Sequence, residues 1–209
     1  MNVQGVSELI SLYELVPFGL FLWAAATQSP FLAILAFATL SKQIPEKLIK
    51  RFVPLPKSIR ARPKGATNCN ALNKGGSYTE KPGFPSGHTT TAWFIFTYCY
   101  LQYRNHSKLF GPVFLTSLYA LAMPIARVTL QCHTEEQVVG GMVLGILWAS
   151  AFVQLEKRVL EKQSWYATDK ERVLEWFASD SYSFAIHRFF LFGVILVTIS
   201  VLVVLRRLN

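Results

Sequence analysis

Residues 85–137 read PSGHTTTAWFIFTYCYLQYRNHSKLFGPVFLTSLYALAMPIARVTLQCHTEEQ, and this stretch decides the fold. It holds two uncharged runs, Thr89–Tyr103 and Leu109–Ala126, joined by a short polar link. An α-helix rises about 1.5 Å per residue, so a run of about 17–20 apolar residues crosses a hydrocarbon core. The second run is long enough, and the first is slightly short unless its polar start is counted. Two crossings return a chain to the side it left. The hairpin therefore brings Pro85-Ser86-Gly87-His88 to the same surface as Arg127 and His133. A third cluster, Arg62-Pro63-Lys64-Gly65, joins His88 through one loop with no crossing between. All three clusters thus meet at one face, whatever the rest of the chain does.

Working outward, Gln137–Leu155 and Phe189–Leu205 are further spans by the same criterion. Leu15–Ser41 is uncharged but interrupted by Gln28-Ser29-Pro30, and serine followed by proline is a helix-start signal. Two spans are expected there, Ser7–Thr27 and Pro30–Lys47, with Glu8 and Glu14 near one surface; one tilted span is the alternative. The first apolar stretch has no basic region before it and no clear cleavage site, so it reads as a retained span. The expected fold class is all-α, a polytopic membrane helical bundle of about six spans, with residues 1–209 forming a single membrane-embedded domain. The polar, Gly/Pro-rich segment Arg51–Pro85 is too long for an ordinary connection and reads as functional. In Glu156–Tyr182, Thr168 and Glu171 have capping-box spacing. Trp165, Trp176 and Phe177 there suit a helix in the headgroup region, or a solvated connecting helix. No internal repeat or low-complexity tract occurs.

Composition agrees with a membrane protein. Hydrophobic residues make up 52% and charged residues 16% of the 209, whereas soluble domains carry roughly 25% charged residues. Yet 21 Lys and Arg face 12 Asp and Glu, a formal net charge of +9. Such a chain calls for an anionic partner, either lipid headgroups or a phosphorylated substrate. Nucleic acid is not the expected partner, because the basic residues alternate with apolar segments. Cys69, Cys99 and Cys132 form neither a disulfide framework nor a zinc spacing. Cys99 reads as a core residue, and Cys69 and Cys132 as free thiols, or as a pair if their side is oxidising.

The clusters suit phosphate chemistry. Ser86 at a helix start leaves the first N–H groups to bind an anion, aided by the helix dipole. Gly87 lets an oxyanion approach the backbone. Arg62 and Arg127 each offer a planar fork to phosphate oxygens. Of two histidines beside such a site, one can attack phosphorus and the other protonate the leaving oxygen. No Asp/Glu/His set has metal-ligand spacing, so neither metal nor cofactor is expected. Taken singly, each fragment has a plainer reading, such as a snorkelling arginine or an ordinary turn. His106 and His187 read as surface or interfacial groups. The ordered combination on one side is what favours a site.

These residues resemble the type 2 phosphatidic acid phosphatase superfamily. Its signature is a lysine before Arg-Pro, then Pro-Ser-Gly-His, then Ser-Arg, with a histidine six residues after the arginine and an aspartate four further on. Arg62-Pro63, Pro85-Ser86-Gly87-His88, Arg127 and His133 match in order and spacing, over roughly residues 45–155. The resemblance implies hydrolysis of a lipid phosphate at the bilayer, with His133 as nucleophile and His88 as acid for the leaving group. It implies that Arg62, Arg127, Ser86, Gly87 and a lysine hold the phosphate. Three positions depart from the pattern. Ala126 replaces the serine, and Leu55 stands where the lysine is expected, leaving Lys50, Lys57 or Lys47, of which Lys50 is favoured. Gln137 replaces the aspartate, and four residues along a helix it shares a face with His133, whereas Glu136 points about 100° away. Gln137 is expected to accept from one His133 nitrogen, and Gln137→Asp to be tolerated or activating. His133-Thr134 with Gln137-Val138 is similar to the lumenal dolichyl diphosphate phosphatases, which implies a polyprenyl diphosphate as substrate and the endoplasmic reticulum or another internal membrane as the location. A lipid phosphotransferase and a catalytically inactive membrane scaffold are the alternatives, the latter on account of Gln137.

Overall fold

Apolar sequence with no room for side chains at one face packs closest, and helix Glu135–Leu155 carries such a face. The computed structural model describes residues 15–70, 73–104 and 110–178. The early part of the first expected span, the span Phe189–Leu205, His106 and His187 lie outside the described residues. In chain order the elements are α1 (Leu15–Thr27), α2 (Pro30–Ser41), α3 (Gln43–Phe52), α4 (Lys57–Arg60), β1 (Thr67–Asn70), β2 (Asn73–Ser77), α5 (Gly87–Tyr103), α6 (Phe110–Thr129), α7 (Glu135–Leu155) and α8 (Ser164–Ala178). A π-helical turn, Glu156–Leu160, extends α7. Apart from the antiparallel β1–β2 hairpin, with Thr67 opposite Ser77 and Asn70 opposite Asn73, the described elements are helical. Among the described residues, two helices are long and apolar enough to cross a membrane, Gly111–Thr129 and Glu135–Leu160.

The central contact is α5 against α7. A Cβ added at Gly141 would lie 2.6 Å from the Ser86 backbone oxygen, and one at Gly145 would lie 2.6 Å from that of Thr90. Small residues four apart let two helix backbones touch, and Ala149 and Val153 continue the stripe, buried with Phe94 and Tyr98. Gly141→Ala should therefore cost about 1–3 kcal/mol through overpacking. Thermal unfolding in detergent checks this, with Gly19→Ala as the comparison, since nothing lies within 4 Å of the added methyl there.

The N-terminal region forms two helices rather than one. Gln28 adopts a left-handed conformation with φ 50°, and Ser29 caps α2 by accepting from the Leu32 N–H at 3.2 Å. Asp169 of α8 adds a second cap, accepting from Ser29 Oγ at 2.7 Å and from the Phe31 N–H at 2.9 Å. The expected span Pro30–Lys47 is shorter than predicted: α2 stops at Ser41, and the chain turns at Lys42 into α3. Pro45 explains the break, because it has no N–H for the Ser41 carbonyl and its ring crowds that oxygen. α3 is amphipathic, with Ile44, Leu48 and Phe52 exposed at 59%, 51% and 66% along one stripe. That is the pattern of a helix lying in an interface.

Thr168 does not start a helix as its spacing with Glu171 suggests. α8 begins at Ser164, where Tyr166 and Ala167 both donate to the Gln163 carbonyl. Trp165 and Trp176 are half exposed. At this end of the bundle Glu156 is fully buried and accepts from Tyr98 Oη (3.2 Å), Gln102 Nε2 (2.6 Å) and Tyr166 Oη (3.0 Å). Lys170 pairs with it at 2.7 Å. A buried carboxylate is tolerated when its lone pairs are all used in this way. The cluster ties α5, α7 and α8 together at the end opposite His88.

Candidate active site

At the other end, the starts of α5 and α7 and the end of α6 converge. The Ser86 N–H donates to the Gln137 carbonyl at 2.9 Å, joining the two helix starts directly. α6 ends through Gln131, left-handed with φ 54°, which lets the Cys132 and His133 N–H groups both reach the Arg127 carbonyl. His133 thus projects from a short, pinned turn rather than a free loop.

Each expected residue can be placed. His133 and Gln137 meet, with His133 Nδ1 3.0 Å from Gln137 Oε1. An amide oxygen only accepts, so Nδ1 carries the proton and Nε2 keeps its lone pair. Arg62 Nη1 lies 3.3 Å from that Nε2 and also donates to the Cys132 carbonyl at 2.8 Å. Burial first, then the Arg62 guanidinium, holds the His133 imidazole well below the ordinary histidine range, against the opposing effect of the Gln137 bond. The ring is therefore neutral at pH 7. His88 is buried at the start of α5, and burial first, then Arg127, His133, Lys42 and Arg62, holds its imidazole well below the ordinary histidine range. Arg127 is fully buried. Ser86 holds the N-cap position of α5, but its hydroxyl makes no cap bond and instead accepts from Thr89 Oγ1 at 3.1 Å. Glu136 is exposed and takes no part.

Gln137 does more than its spacing suggests. Its Nε2 donates to the Ile59 carbonyl at 3.0 Å and the Ala61 carbonyl at 2.6 Å, while Oε1 also accepts from the Thr134 N–H at 3.3 Å. It both orients His133 and holds the Arg62 loop. These two donated bonds argue for loss rather than tolerance in Gln137→Asp. An aspartate has no donor for the two carbonyls, and its shorter side chain brings only acceptors toward them.

Two lysines reach the cluster. Lys50 points into the cluster, but it pairs closely with Glu46. Lys42 is more buried: its Nζ donates to the Gly87 carbonyl at 2.8 Å and lies 3.2 Å from Glu46 Oε2. Burial pushes the Glu46 carboxyl up, but Lys42 and Lys50 outweigh that and hold it below the usual carboxylate range. Lys42 and Glu46 were legible only as an i, i+4, i+8 row with Lys50, a pattern that is usually a solvated helix face.

Cys132 is disulfide-bonded and Cys99 is a free thiol, so the reading of Cys132 as a free thiol is corrected. The Arg62 loop bonds the Cys132 carbonyl and leads directly into β1, the strand that carries Cys69. Among the described residues, no group of three His, Cys, Asp or Glu side chains is placed to hold a metal ion.

No curated protein and no solved structure matches the chain. The profile of the PAP2 superfamily does, over residues 31–161, a range that runs from α2 through the Arg62 loop, both histidines and Gln137 to the buried Glu156 cluster. The chain belongs to the PAP2 superfamily.

Proposed function

We propose that this protein hydrolyses a lipid phosphate or lipid diphosphate at a membrane surface through a phosphohistidine on His133. Membership of the superfamily supports phosphatase chemistry in general. The observation that carries the finer reading is the state of His133: Nδ1–H is held by Gln137, and Nε2 is unprotonated and faces Arg62. The Nε2 lone pair attacks phosphorus, and the bond from phosphorus to the leaving oxygen, of the lipid or of the lipid monophosphate, breaks as His88 supplies a proton to that oxygen. The bound phosphate's negative charge raises the His88 pKa enough for it to carry that proton. Water then attacks the phosphohistidine, His88 takes the proton it releases, the P–N bond breaks to restore neutral His133, and phosphate leaves. Arg62 and Arg127 stabilise the charge that develops on the phosphoryl oxygens, together with the N–H groups at the start of α5.

A lipid fits the surroundings of the site. Ile125 on α6 and Val139 on α7 are exposed close to the catalytic end, and Ile44, Leu48 and Phe52 line α3. A tail that stays in the bilayer would lie along such residues while the headgroup enters the cationic cluster. Purified protein assayed with EDTA present should release phosphate from phosphatidate or from polyprenyl mono- or diphosphates, and far less from water-soluble phosphates. Equal rates on glycerol phosphate would remove the lipid from the proposal. Products esterified to an added alcohol, in place of free phosphate, would make it a phosphotransferase.

A further inference from the structure

Gly87 has no side chain, and the space a side chain would take is filled by an anion that belongs to the protein. A Cβ built at Gly87 would meet Glu46 Oε1 at 2.6 Å and Oε2 at 2.7 Å. The same carboxylate bridges Lys42 and Lys50 and is an electrostatic neighbour of Arg62. Its side chain is only 12% exposed. Two lysines, an arginine and the first residue of α5 therefore gather around one carboxylate. Those are the groups that an incoming phosphoryl oxygen would need, and two oxyanions cannot share them without strong repulsion in a partly buried site.

We propose that Glu46 is a resident competitor: its carboxylate occupies the phosphate cradle in the empty enzyme and must swing away when substrate binds. The alternative role for such a residue is to hold the two lysines in place for phosphate. The two roles predict opposite signs. A competitor subtracts from the binding of every phosphate alike, so removing its charge tightens phosphate and lowers KM by a common factor. A lysine holder would loosen both.

The inference rests on the phosphate-site reading above, and direct binding separates the two. Calorimetry with inorganic phosphate on the purified full chain should show Glu46→Gln and Glu46→Ala binding about tenfold tighter than wild type, the scale of one charge-assisted contact. KM for the lipid phosphate that is turned over should fall by the same factor. Weaker or unchanged phosphate binding in folded variants overturns the proposal. Tighter binding by a protein that hydrolyses nothing keeps the competitor and removes the hydrolase. A third measurement needs no substitution: adding phosphate to the wild type should shift a carboxylate stretching band in infrared difference spectra. A flat carboxylate region there also overturns it.

Discussion

His133→Ala should reduce phosphate release by about 10⁴-fold or more, the loss seen when a nucleophile acting as part of a unit is removed. The reason lies in the neighbourhood. The neutral ring sits in a cationic pocket, so its Nε2 is available near pH 7, where an ordinary histidine is partly protonated. An alanine leaves the phosphate cradle intact but nothing to attack with. His133→Asn should lose activity equally, because an amide fills much of the space without supplying the nucleophile. Trapping with radiolabelled substrate should give an acid-labile, alkali-stable phosphoenzyme in wild type and none in either variant. Wild-type turnover by His133→Ala would end the phosphohistidine mechanism. Retained labelling would move the nucleophile elsewhere, with His88 the first residue to test.

The second large effect is expected at Gln137. Gln137→Leu removes the acceptor of the Nδ1–H and both donors to the Arg62 loop. The ring is then free to take the other tautomer or to rotate, and the Ile59 and Ala61 carbonyls lose their partners. Loss of the orienting residue in a comparable nucleophile–base pair costs about 10⁴ in kcat, so a fall of about 10²–10⁴ is expected here. Gln137→Asp should fall in the same direction, because it restores the acceptor but not the donors. The two contributions can be told apart by rate and stability together. Leucine should lower both, whereas aspartate should keep more of the rate per folded molecule while lowering the unfolding temperature in detergent. Full activity and stability in Gln137→Asp would mean that the loop bonds contribute nothing.

Much of this was legible in the sequence, and what was missed has physical reasons. The uncharged runs around α5, α6 and α7 and the polar residues at their ends follow from length and charge alone. The Gln137–His133 pair follows from helical spacing. The extent of α2 was overestimated because hydropathy ignores the missing donor of Pro45. The β1–β2 hairpin was hidden because its sequence, Thr67–Asn70 and Asn73–Ser77, is polar and Gly-rich rather than β-branched. Lys42 was missed because a row of alternating charges on a helix gives no sign of which way that helix faces. The second role of Gln137 depends on carbonyls 76 and 78 residues away, which no local pattern encodes.

The glycine stripe on α7 has a consequence for how the enzyme can vary. Where main chain meets main chain, separation is set by bond lengths and van der Waals radii, and there is no rotamer to adjust. The offset between Gly87 and His133 is then fixed by the helices' own cylinders, like a gauge block between two jaws. Side chains on the outer faces, Val143, Ile146 and Leu147 among them, can change to suit different bilayers without disturbing that offset. Sequence drift should accordingly run freely over the outside of α7 and stop at its inner edge.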